Sequence, residues 1–202
     1  MSQLDTFQRI RELPREQQIV MALYLCERMV PNYDFFHQLT GFGDSKPLHG
    51  TLNACWDWVA NPKKTKVNFT RWQEKVDEQT PSEYGHDMLG VYPAMDACTA
   101  LSTLLQGLLD DNGSNFLDVA KISQASVAKF IELNDAEEVG TEQLKEHVQN
   151  HELMEYEVAI QQAMINFLEQ QPAVNRALVS QLKMMLNDEG VSNLGLALDA
   201  EE

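Results

Sequence analysis

Residues 14–30 read PREQQIVMALYLCERMV, and this stretch decides the fold. Pro14 suits a first helical position, where its missing N–H has no helical partner to lose. Pro31 lacks the donor that a continuing helix needs, so the reading stops the helix there. Between them, Ile19, Val20, Met21, Leu23, Tyr24, Leu25 and Cys26 surround the axis on nearly all sides. A helix that is apolar all round is buried. This stretch is therefore expected to be the long central helix of an all-α protein.

Outward from it, no segment alternates apolar and polar residues long enough to make a strand, and the 3.6 period recurs instead. Residues 31–40 read as a short helix with Tyr33, Phe36 and Leu39 inward, ended by Gly41. Asp44 or Ser45 can cap the next helix, with Pro47 in its first turn and Leu48, Leu52, Cys55 and Val59 as its stripe. Asn68 caps another, carrying Phe69, Trp72 and Val76. Residues 81–92 are the least regular part, and Pro93 then opens a long helix from Ala94 to Leu108. After a turn at 110–113, Phe116, Ala120, Ser123, Val127 and Phe130 carry a helix. Gly140 and Thr141 are expected to start the longest one, with Leu153, Tyr156, Ile160, Ala163 and Phe167 facing inward. Pro172 breaks it, and Val174, Leu178, Leu182 and Met185 mark the last. The expectation is a single bundle of about eight helices over 1–187, then an acidic, loosely ordered tail over 188–202.

Six of the seven prolines and twelve of the sixteen aromatics fall in the first 98 residues, so that half is expected to carry the specific surface. The charge is lopsided: 31 acids against 15 bases, net −16. Such a field repels a phosphate backbone, so no nucleic acid is expected as a partner. Lys63, Lys64, Lys66, Arg71 and Lys75 form a basic cluster too small to reverse this. Met1 to Pro14 has no apolar run of the signal-peptide kind. Ile19 to Cys26, the longest apolar run, falls far short of the ~20 residues a bilayer span needs. No membrane association is expected. Cys26, Cys55 and Cys98 lie on inner stripes without CxxC spacing, which reads as reduced core thiols in a cytoplasmic protein.

His147, His151 and Glu155 recur at intervals of four, which on one helix places two imidazoles and a carboxylate on one face. The flanking Glu146, Glu152 and Glu157 make this read as a solvated acidic face, so neither metal nor other cofactor is expected. Replacing both histidines should then cost no more than ~0.5 kcal/mol, as surface changes do. His86 and Asp87 in the irregular segment read as a loop capping pair, and Gly41-Phe42-Gly43 lacks the GK[ST] of a phosphate loop. Arg28, in the last turn of the apolar helix, reads as a cation at the helix end paired with Asp34 or another acid. A different reading gathers Arg28, Tyr33, His37 and Asp96 on a pocket floor.

Five strings are more distinctive: LCERMVPNYDFF (25–36), TGFGD (40–44), KVNF (66–69), GVYPAMDACTAL (90–101) and SNLG (192–195). Together they resemble the YjaG-like family, a bacterial domain-of-unknown-function family. The resemblance implies an all-helical bacterial cytoplasmic protein and transfers no activity, cofactor or site residue.

Two functions are expected to compete. The first is a non-enzymatic helical protein that binds a protein partner or itself, with Trp56, Trp58 or Trp72 exposed as anchors. The second is a small-molecule or metal-dependent enzyme with a pocket near Arg28, Tyr33, His86, Tyr92 and Asp96.

Overall fold

The computed structural model describes residues 3–84 and 90–197. Among these residues there is no strand, and nine helices pack as an all-α bundle. Their order is α1 (Gln3–Glu12), α2 (Arg15–Thr40), α3 (Lys46–Ala60), α4 (Phe69–Asp77), α5 (Val91–Leu109), α6 (Gly113–Val139), α7 (Leu144–Asn150), α8 (Glu152–Glu169) and α9 (Arg176–Glu189). The central position of α2 follows from its sequence: Val20 through Cys26 are all 0–1% exposed, enclosed by α3, α5, α6, α8 and α9. No described helix is long and apolar enough to cross a membrane.

Pro31 does not end α2, which runs on as one helix of 26 residues. An interior proline costs about 3 kcal/mol. Beyond it, Tyr33 and Phe36 become fully buried, and burial of one large apolar side chain is worth about 1.5–3 kcal/mol. The helix stops instead at Gly41, whose φ of 68° is the left-handed conformation that glycine adopts freely; its N–H bonds the carbonyl of His37. Leu39, expected inward, is 57% exposed. The caps at Asn68 and Asn112 form as side-chain acceptors for Arg71 and Ser114. Helices α5 and α6 cross tightly at Gly107, where a Cβ would stand 2.8 Å from the Phe116 ring.

The C-terminal half departs most from the sequence reading. The longest helix is α6, at 27 residues. The stretch after Gly140 divides into α7 and α8, because His151 leaves the helical conformation and caps α8: its Nδ1 accepts the Leu153 amide. The inward face of α8 is also rotated from the expected one. Met154, Glu157, Gln161, Met164, Ile165 and Leu168 are buried, whereas Tyr156 is 41% exposed and Ala163 is exposed. Two polar residues lie inside, so a search for apolar spacing alone selects the wrong stripe.

Residues 188–197 are not a loose tail. Helix α9 continues to Glu189, and Ser192, Asn193 and Leu194 are buried against α2 and α6. Residues 198–202 lie outside the described residues. A main core surrounds α2 and α5. A smaller cluster of Val127, Ile131, Val148, Met154 and Leu194 joins α6, α7, α8 and this terminal segment.

Candidate functional site

A guanidinium inside a helical bundle needs partners, and those of Arg28 come from the far end of the chain. Its Nη1 donates to Glu157 Oε2 at 2.5 Å and its Nε to Glu189 Oε2 at 3.1 Å. Glu157, itself fully buried, accepts further bonds from the Ser123 hydroxyl and the Gln161 amide. The Tyr24 hydroxyl donates to Glu189 at 2.7 Å. Burial opposes the charge on Arg28, but the two glutamates outweigh it and push its pKa up. Arg28, Glu157, Glu189 and Tyr24 hold one another across the bundle, and the buried Nη2 of Arg28 alone in this network has no hydrogen-bond partner among the described residues. Arg28 is thus paired across the bundle, and Asp34 binds His49 instead, at 2.9 Å.

The postulated pocket floor does not assemble. Tyr33 is buried with its hydroxyl against the Gly43 backbone, and His37 Nδ1 lies 2.7 Å from the Phe42 carbonyl. Asp96 sits elsewhere, beside Ser126 and Lys129, where burial raises its pKa. Lys129 also lies 5.4 Å from the centre of the Tyr92 ring, so these two predicted residues do share a neighbour. His86 and Asp87 lie outside the described residues. Nor are the tryptophans exposed anchors. Trp56 is fully buried, its indole N–H donating to Glu27. Trp58 packs edge-on against Phe69, and Trp72 lies beneath Lys75.

A groove of about 830 Å³ runs between α1, α6, α7 and α8. Its floor is small and apolar: Ala125, Ala128, Val148, Met154, Val158 and Ala159. Lys121, Lys145, Glu132 and Glu155 stand among the residues around it. Close to its α7 wall, Asp135 of α6 meets His147 and His151. His147 Nε2 is 2.7 Å and His151 Nε2 3.6 Å from Asp135 Oδ2, and the two rings pack edge-on. Glu155 is not in this cluster: the helix break at His151 ends the regular spacing that placed it on one face with the histidines, and Asp135 takes its place.

The sequence profile of the "Protein of unknown function (DUF416)" family matches residues 5–197. The chain belongs to the DUF416 family. Relatives include the uncharacterized protein YjaG of Escherichia coli K12, 35% identical over 93% of this chain and 94% of its own. An uncharacterized protein of Haemophilus influenzae is 27% identical over the same shares. The crystal structure of a DUF416 family protein from Shewanella baltica OS155 superposes with a TM-score of 0.89 at 33% identity, covering 95% of this chain and 98% of that one.

Two of the strings that carry the DUF416 resemblance, 25–36 and 192–195, meet in the interior. The Asn193 amide donates to the Arg28 carbonyl oxygen, and the Asn32 side chain donates to Asn193 Oδ1 at 2.8 Å. The Asn193 side chain reaches Ser123, which in turn binds Glu157. Sequence reasoning missed Glu157 and Glu189 as the partners of the Arg28 side chain, and Asn193 as the donor to its carbonyl. Only the occurrence of distinctive strings near both ends of the chain hinted that the two regions touch.

Proposed function

We propose that this DUF416 protein is a non-enzymatic cytoplasmic protein that acts by binding an amphipathic helical segment of a partner protein in the groove between α6, α7 and α8. The observation that carries this reading is the groove itself. It is open, floored by alanine, valine and methionine, and bordered by both signs of charge, as helix-in-groove recognition requires. The buried charges of Arg28, Glu157 and Glu189 are paired with one another, which favours a structural role for them. A net charge of −16 favours a protein partner over a nucleic acid.

Ala125 and Ala159 are exposed in the groove, so tryptophan at either fills it without disturbing the core. Ala163, exposed on α8 outside the groove, is the control. Affinity capture from the native host should recover a stoichiometric protein with wild type and Ala163→Trp, and lose it with Ala125→Trp. Equal recovery with all three would refute the reading. Sedimentation of the same three proteins tests a second copy as the occupant.

A further inference from the structure

We propose that Asp135, His147 and His151 form a site for one divalent transition-metal ion of the zinc class. Three separate backbone environments bring these side chains together: the body of α6, the middle of α7 and the cap of α8. Their ligand atoms all lie within 4.8 Å of one another, and no other trio of His, Cys, Asp or Glu among the described residues does so. A tetrahedral ion with bonds of about 2.0 Å holds its ligand atoms about 3.3 Å apart, so small side-chain movements suffice. Each of the three is about one-third exposed, which gives an ion a way in and leaves positions for water. Two imidazoles and one carboxylate suit zinc, cobalt, nickel or ferrous iron. Calcium and magnesium prefer oxygen alone.

Without metal, His147 and Asp135 share a hydrogen bond and the two rings pack edge-on, and the bond that His151 makes outside the cluster sets the chemistry of binding. The His151 Nδ1 accepts the Leu153 amide, so the neutral ring carries its proton on Nε2, the atom that faces Asp135. An ion bound at Nε2 moves that proton to Nδ1. The Leu153 amide must then release the ring, which opens the first turn of α8. Met154 and Glu155 lie in that turn and line the groove. Metal would therefore alter the groove, a consequence that rests on the binding function proposed above; the metal site does not.

The experiment uses full-length protein without a histidine tag, stripped by chelator. Zinc is titrated by calorimetry, and cobalt by its visible ligand-field absorption. Wild type should take up one equivalent. Asp135→Asn, whose amide oxygen can still accept from His147, should weaken binding by at least ~10-fold, and so should His147→Gln. Glu155→Gln should leave it unchanged. Zinc should also speed hydrogen exchange at the Leu153 amide. Absence of stoichiometric binding in wild type would overturn the proposal. So would binding that persists in both folded variants, or a Leu153 amide equally protected with and without zinc.

Discussion

The backbone amide of Asn193 donates to the carbonyl oxygen of Arg28 at 3.0 Å, tying the terminal segment to the middle of α2. The contact falls where α2 is weakest as a helix. Pro31 has no N–H for the carbonyl of Glu27 and crowds the preceding turn. Asn193 makes two bonds near that turn from outside the helix, one with the Arg28 carbonyl and one with the Asn32 side chain.

Asn193→Ala should destabilise the protein by about 2–3 kcal/mol, since it leaves the buried Asn32 amide without its partner and removes the bonds that the Asn193 amide gives to Ser123. Urea unfolding followed by circular dichroism measures this. A change within the range of surface substitutions would show that the terminal segment is not part of the folded core.

Arg28→Met should be more severe, about 3–5 kcal/mol, because it strands a fully buried carboxylate on Glu157. The double variant Arg28→Met, Glu157→Met should recover much of the loss, as no charge then remains unpaired between those two positions. A double-mutant cycle checks it. Additive losses would mean that the pair is not coupled.

How much of this was legible beforehand depends on what the residues in question do. Helices held by apolar stripes read correctly: Leu48, Leu52, Cys55 and Val59 on α3, and Ala94, Ala97, Cys98, Leu101, Leu104 and Leu105 on α5, are buried as their spacing implies. The all-helical class followed from the same period. The errors share one cause, which is long-range partnership. Glu157 is an acid, so spacing rules place it in water, and only Arg28 brings it inside. Pro31 is a helix breaker until Tyr33 and Phe36 find a core beyond it. His151 looks like a helix-face residue until its ring is seen to cap the next helix. The candidate metal cluster was half visible, through His147 and His151, but Asp135 comes from another helix and no local spacing announces it.

His49 provides a pH test. Its hydrogen bond to Asp34 raises its pKa, against a smaller opposing effect of burial. A raised folded-state pKa adds stability below the ordinary histidine value of about 6.5, and that stability is lost as pH rises through the folded value. The ring is half exposed, so the effect should be small. In Asp34→Asn, NMR titration should show His49 shifted down, and the melting temperature should fall less between pH 6 and pH 8 (about the range of histidine titration). An unmoved His49 titration would refute the assignment.

The cysteines should be inert in the native state. Burial pushes the thiols of Cys55 and Cys98 up to about 12, and that of Cys26 well above its ordinary value. The reactive thiolate is then scarce at pH 8, and the reagent has no access to it. A disulfide-exchange reagent should label none of the three quickly until denaturant is added. Rapid native labelling at all three would contradict the buried positions.

His151→Ala should cost about 1 kcal/mol, more than the replacement of an exposed residue, because the Leu153 amide loses its cap. His151→Asn tests the cause. Asparagine is among the best capping residues and presents an acceptor oxygen to the same amide, so stability should return close to wild type. If the ring mattered instead through its contact with Asp135 and His147, asparagine would do no better than alanine. Amide exchange at Leu153 separates the two explanations within a single spectrum. A lost cap exposes that amide, whereas a lost Asp135 contact leaves it protected.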